Sequence, residues 1–235
     1  MLAPDVIRSV SMDLNDQEPG NEYIHWPYEQ LRHYLFEAMQ QISQGAHKLF
    51  TERKVMAVQG GATWQRACCE CDQIIRVIGE TDADGNLLHT LRRIKDNPDN
   101  EWPVAVSGLC PIDPEDYEME GYSISSVDDQ YFQVVPAVPE GETRYVMLEC
   151  FVGVHEITDN YDVPWRFVAM VKMWMLARAY MMDSENTPGV FELGTRYMSL
   201  WDKQWQFLIS ALASEEKEKE IGDDSVGAVS NGAAE

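Results

Sequence analysis

The sequence predicts an α+β fold: a helical bundle body (an N-terminal helix plus two C-terminal helices), an inserted antiparallel β domain, and a flexible acidic C-terminal tail. Two observations carry that prediction. Helical periodicity is confined to residues 27–50 and 161–213, while strand and turn signals fill 51–160. Charge follows the same boundaries. The two helical stretches are neutral, whereas 1–26 carries −4, 51–160 carries −13 and 214–235 carries −5, which together make the chain's −22. The expected domains are therefore an N-terminal arm, 1–26; a helical body, 27–50 with 161–213; a β insertion, 51–160; and an acidic tail, 214–235.

Each element has its own signal. The arm lacks the apolar core of a secretory signal, because Pro4, Asp5 and Arg8 interrupt it. The first helix opens at Trp26-Pro27, where proline suits a first turn. Leu31, Tyr34, Leu35, Ala38, Met39 and Ile42 then repeat at three- and four-residue spacing, and the helix is expected to end near Phe50. In the insertion, 74–78 and 87–91 read as a hairpin around Asp84-Gly85-Asn86, since Asp-Gly supplies the positive φ angles of a tight turn. Residues 122–127, 131–135 and 145–154 are further strand candidates, separated by Asp128-Asp129 and by a stretch holding Pro136, Pro139 and Gly141. An antiparallel sheet or small barrel follows.

Two helices close the chain. Asp162 is placed to cap the first, with Pro164 in its opening turn. Residues 165–182 are apolar nearly all round, with Arg166, Lys172 and Arg178 the only charges, so this helix must be covered on most sides. The last helix starts at Thr187-Pro188, and Val190, Leu193, Tyr197, Trp201, Trp205, Leu208 and Leu212 mark its expected buried stripe. Beyond Ala213 come acids alternating with lysine and then a small-residue end, which predicts disorder in the free chain.

Composition excludes several functions. Forty acidic against 18 basic residues should repel phosphate backbones and anionic lipid. The most hydrophobic stretch, 167–182, is too short and too interrupted for a membrane span. Five cysteines, an odd number, read as reduced thiols of a protein made in the cytosol.

The candidate chemistry is thin. Cys68, Cys69 and Cys71 have spacings a zinc site uses, yet alternate residues of a strand point to opposite faces, and small apolar residues in a sheet explain them better. Residues 82–86 lack the glycine and glutamate positions of a calcium loop. Asp113, Glu115, Asp116, Glu118 and Glu120 read as a solvated loop rather than a magnesium site. There is no HExxH, no GxSxG, no phosphate loop and no GxGxxG. The expectation is a protein that is not an enzyme and takes no metal or cofactor.

The apolar and aromatic content of the closing helices exceeds what one three-helix layer buries, which marks an interface. Its candidate residues are Trp174, Tyr197, Trp201, Trp205, Phe207, Leu208 and Leu212; Asp113, Glu115, Asp116, Asp128 and Asp129 are the candidates for an acidic surface facing a channel or solvent.

The order of elements resembles the head-to-tail adaptor (connector) proteins of tailed bacteriophages. The likeness rests on Trp26-Pro27-Tyr28-Glu29-Gln30-Leu31 running into an amphipathic helix; on Cys71-Asp72-Gln73-Ile74-Ile75-Arg76-Val77-Ile78; on the strand, turn and strand ending in Pro136; and on Ala177-Arg178-Ala179-Tyr180 with the stripe that follows. It covers about residues 20–213. The resemblance implies a structural virion protein at the head–tail junction: a ring of twelve copies that docks beneath the portal, receives a tail tube or nozzle protein, and lets double-stranded DNA pass without sequence-specific binding. A wall of carboxylates suits that passage, because it repels phosphates. The expectation is that the neutral helices make the contacts and the acidic insertion faces lumen, solvent or tail. The competing reading is an acidic DNA mimic or host-factor-binding protein, which accounts for the same charge.

Overall fold

A computed structural model describes residues 1–68, 70–94, 117–183 and 189–227, with 215–227 given as backbone alone. The fold is mixed α+β, with four helices and largely antiparallel sheets. The chain divides into two units, Met1–Ala46 with Val154–Glu235, and His47–Gly153.

The first unit opens with a helix in the stretch read as an arm. Helix α1 (Ala3–Asp13) buries Ala3, Val6, Ile7 and Val10, the spacing of one helical face. After the small hairpin of β1 (Gln17–Glu18) and β2 (Asn21–Glu22) comes α2 (Tyr28–Gly45), with Pro27 at its N-cap. Leu31, Tyr34, Leu35, Ala38, Met39 and Ile42 are all buried, as the periodicity predicts. The helix stops at Gly45, earlier than the expected Phe50, and a 3₁₀ turn at His47–Leu49 replaces its last turn.

The link between α1 and α2 is organised by one buried carboxylate. Asp16 accepts the backbone N–H groups of His25 (3.1 Å) and Trp26 (2.7 Å), while its own carbonyl accepts the Ser11 hydroxyl (3.0 Å). Asp16→Ala is therefore expected to cost about 1–3 kcal/mol in denaturant unfolding, because it leaves two backbone donors without acceptors. Asp16→Asn, which keeps one acceptor oxygen, should cost less.

Helix α3 (Trp165–Met182) covers the apolar stretch read from the sequence but starts later than a cap at Asp162 would place it. Its cap differs: Pro164 is the N-cap and no side chain caps the helix, because Asp162 instead binds the amino group of Met1. Two of its three charges explain themselves as clamps. Arg178 grips Glu37 of α2 with two hydrogen bonds (2.9 and 3.2 Å) and lies over the Tyr34 ring; Lys172 reaches Ser9 (2.9 Å) and Asp13 (2.8 Å) of α1. An apolar helix is thus tied to both earlier helices through its few polar positions. The last helix, α4 (Val190–Gly227), runs past Ala213 through the acid–lysine stretch, so residues 214–227 are helical where the sequence predicts disorder; the stretch 215–220 holds glutamate and lysine, both good helix formers.

The second unit holds two four-stranded sheets. In one, the order is β3 (Thr51–Gln59), β10 (Thr143–Phe151), β5 (Gln73–Thr81), β6 (Leu87–Thr90). Strand β10 pairs with β3 without interruption from Thr143 opposite Gln59 to Phe151 opposite Thr51; two register shifts break its pairing with β5. The expected hairpin is β5 and β6. Asp82 caps its turn through the N–H groups of Asp84 (3.0 Å) and Asn86 (2.8 Å), and Gly85 takes a φ of 86°. The other sheet runs β4 (Gln65–Arg66), β9 (Tyr131–Val135), β8 (Gly121–Ile124), β7 (Arg92–Arg93), and its β7 and β8 are parallel. One core joins the two sheets, with Phe132, Val146, Leu148 and Met119 at most 1% exposed.

Candidate functional site: the aromatic helix pair

Two glycines set how α4 packs, Gly194 against α3 and Gly45 of α2 against Trp205. A Cβ on Gly194 would sit 2.9 Å from Met181 Cγ and 3.1 Å from its backbone nitrogen, so only glycine permits this approach. A Cβ on Gly45, in the last turn of α2, would lie 2.2 Å from the ring of Trp205. Trp205 therefore packs into a notch at the end of α2.

Aromatic rings fill the seam between α3 and α4. Trp174 and Trp201 have ring centroids 4.9 Å apart at 57°; Trp201 and Trp205 are stacked at 6.2 Å and 5°; Tyr180 and Tyr197 are stacked at 5.8 Å and 14°. Trp201 is buried, and Trp174, Tyr197, Trp205, Leu208 and Leu212 are half-buried. The indole N–H of Trp174 is buried without a hydrogen-bond partner. Burial pushes the Tyr180 hydroxyl above its ordinary range, with the neighbouring Tyr197 adding to the effect.

Phe207 differs from the other candidates, being 74% exposed. It shares a helical face with Leu193 and Leu200, each seven residues from the next and each 36% exposed. Leu193 therefore leaves the buried stripe expected of it. Gly194 is the buried residue there, and its close contact with Met181 and Ala177 turns the preceding side chain outward. Arg196 and Lys203, both exposed, lie beside this outward stripe. An apolar strip with basic flanks can dock an apolar surface with acidic borders. Phe191 near the start of α4 and Trp165, 86% exposed at the start of α3, are further outward aromatics.

The acidic candidates separate. Asp113, Glu115 and Asp116 lie outside the described residues. Asp128 and Asp129 are exposed in the turn between β8 and β9, where they accept the Gln130 backbone N–H (2.9 Å) and the Gln73 side-chain amide (2.9 Å). Cys68 is exposed, Cys71 and Cys150 are buried, and Cys69 is outside the described residues. Among the described residues, no group of three or more His, Cys, Asp and Glu is placed to hold a metal ion, and no helix is long and apolar enough to cross a membrane. A hollow of ≈ 320 Å³ lined by Glu29, Arg32, His33, Phe36 and residues 155–157 has charges that largely offset one another, as in the ion pair of Arg32 with Glu29.

Strand β3 and the outward stripe of α4 escaped the reading by sequence. The spacing of Leu193, Leu200 and Phe207 carried the second signal, although Tyr197 and Trp201 dominate the pattern.

The closing helix pair thus presents outward apolar side chains, among them Leu193, Leu200, Phe207 and Trp165. Residues 1–226 match the sequence profile of the SU10 adaptor protein family, and the chain belongs to that family. It is accordingly a phage adaptor, which is consistent with a structural role. No match is found among curated proteins.

Proposed function

We propose that the chain is a head-to-tail adaptor. Twelve copies form a ring at the head–tail junction, dock beneath the portal protein, and carry a tail tube or nozzle protein below. Double-stranded DNA passes through the lumen during ejection without sequence-specific contact. The observation that carries this reading is the family match across nearly the whole chain. Two physical features support it. The outward strip of Leu193, Leu200 and Phe207 offers apolar surface for a partner, and the excess of carboxylates repels a passing phosphate backbone instead of trapping it. The acidic tail is part of the proposal: residues 214–227 continue α4 as helix and would lie along the portal.

Electron microscopy of the purified chain mixed with portal tests the ring directly: a closed ring seated on the portal is the expected image, and monomers unassociated with it would end the proposal. Phe207→Asp tests the surface. Because Phe207 is mostly exposed, folding stability should change by no more than ~0.5 kcal/mol, while portal pull-down should weaken at least ~10-fold. Trp205→Asp is a poorer probe, since Trp205 packs on Gly45 within the chain.

The charge of −22 also favours a second reading, an acidic DNA mimic that binds a host factor. Competition with DNA for a host DNA-binding enzyme, in the absence of any portal binding, would establish that reading instead.

A further inference from the structure

The second unit carries a thiol arrangement that the adaptor role does not use. Cys68 and Cys71 form a Cys-x-x-Cys turn, closed by a hydrogen bond from the Cys71 N–H to the Cys68 carbonyl (3.0 Å). Cys68 is exposed, whereas Cys71 is 1% exposed and Cys150, in β10, is 0% exposed. Cys71 and Cys150 belong to the same core, and each is the neighbour that most perturbs the other's thiol. The backbone fixes that meeting. Asp72 donates its N–H to the Phe151 carbonyl (3.0 Å), and its carboxylate accepts the Gly153 N–H (2.7 Å), so the loop after Cys71 is fastened to the end of β10.

We propose that Cys68, Cys71 and Cys150 form a thiol–disulfide relay that ends in a buried disulfide between Cys71 and Cys150 when a small-molecule disulfide reaches the protein. The exposed Cys68 thiolate attacks one sulfur of the small disulfide and expels a first thiolate. Cys71 attacks the Cys68 sulfur, expels the second thiolate, and closes the turn. Cys150 then attacks the Cys71 sulfur, breaks the bond to Cys68 and returns Cys68 as a thiol. In sum, one small disulfide is reduced to two thiols, and the two protons and two electrons come from Cys71 and Cys150. In the reduced protein the contact with Cys71 holds the Cys150 thiol below its usual range, the Lys54 ammonium acts in the same direction and burial opposes both, while the contact with Cys150 and burial push the Cys71 thiol up. Once Cys71 is oxidised, the Lys54 ammonium is what still favours the Cys150 thiolate.

The relay responds to compartment. Thiols stay reduced in a cytosol and oxidise outside it, so the same chain is unstapled during assembly and stapled afterwards. The bridge would close a loop of about 80 residues and raise the melting temperature by on the order of 10 °C.

The test uses the full chain carrying Cys69→Ser and Cys110→Ser, incubated folded with oxidised glutathione, alkylated, and peptide-mapped without reduction. The expected product joins the peptides of Cys71 and Cys150, with Cys68 alkylated. Adding Cys68→Ser should slow its formation at least ~10-fold without changing it, because a buried thiol meets the oxidant slowly. Adding Cys150→Ala should arrest oxidation at a bond between Cys68 and Cys71. If Cys71 and Cys150 both remain alkylatable at oxidant levels that consume the thiols of the unfolded chain, or if the product joins Cys68 to Cys71 while Cys150 stays free, the proposal fails. An unchanged rate in the Cys68→Ser variant overturns the relay and leaves only direct oxidation. None of these outcomes depends on a portal, so they are independent of the adaptor reading.

Discussion

Replacing Trp201 with alanine is expected to destabilise the protein by about 3–5 kcal/mol, the range for removing a large buried aromatic. Trp201 is 5% exposed and lies between Trp174 and Trp205, so its loss leaves a cavity bordered by two rigid rings. Those rings cannot collapse into it without pulling Trp205 from its notch at Gly45. Denaturant unfolding followed by circular dichroism measures the effect, with Phe207→Ala as the companion, expected within about 0.5 kcal/mol of the parent. Equal losses in the two variants would contradict the placement of Trp201 in the core and Phe207 on the surface.

The second large effect belongs to the β unit. Glu80 is 5% exposed and has two cationic or potentially cationic neighbours, Arg144 at 3.8 Å and His89 at 3.6 Å. Arg144 also binds Glu142 (3.1 Å) and lies 5.3 Å from the Tyr117 ring centre, while burial and the Glu80 charge push the Tyr117 hydroxyl up. Arg144→Met keeps the apolar stem of the side chain and removes the charge, leaving Glu80 buried beside His89 without its arginine. The expected cost is about 3 kcal/mol, at the low end for breaking a buried ion pair because Arg144 is itself partly exposed. Adding Glu80→Gln should recover part of that loss, since the orphaned charge is what makes the single change costly. No recovery in the double variant would mean that the stacking on Tyr117, rather than the charge, is what Arg144 supplies.

The helices were legible where one face dominates. In α2 every apolar position at three- and four-residue spacing is buried, and α3 declares itself by being apolar throughout. Helix α1 carried the same signal in Ala3, Val6, Ile7 and Val10, but Pro4, Asp5 and Arg8 obscure it in a window only eleven residues long. The hairpin of β5 and β6 was legible because Asp-Gly has few other uses between two apolar runs. Strand β3 was not, because it is a sheet edge: Glu52, Arg53 and Lys54 interrupt the alternation that a half-buried strand shows. The partition into two sheets depends on pairings between distant residues, such as Gln65 with Phe132, which no local pattern contains. At the candidate surface, aromatic content pointed to the closing helix pair but did not separate inward from outward rings. That distinction is made by Gly45 and Gly194, two residues without side chains.

The notch at Gly45 has a mechanical consequence. Helix α4 spans 38 residues, and the part beyond Trp205, through Gly227, rises ~33 Å at 1.5 Å per residue. A tilt of about 5° pivoting on the indole would swing the far end through ~3 Å, nearly the diameter of a methyl group. A small tilt at the indole is thus carried by the helix into a displacement of side-chain size at its far end.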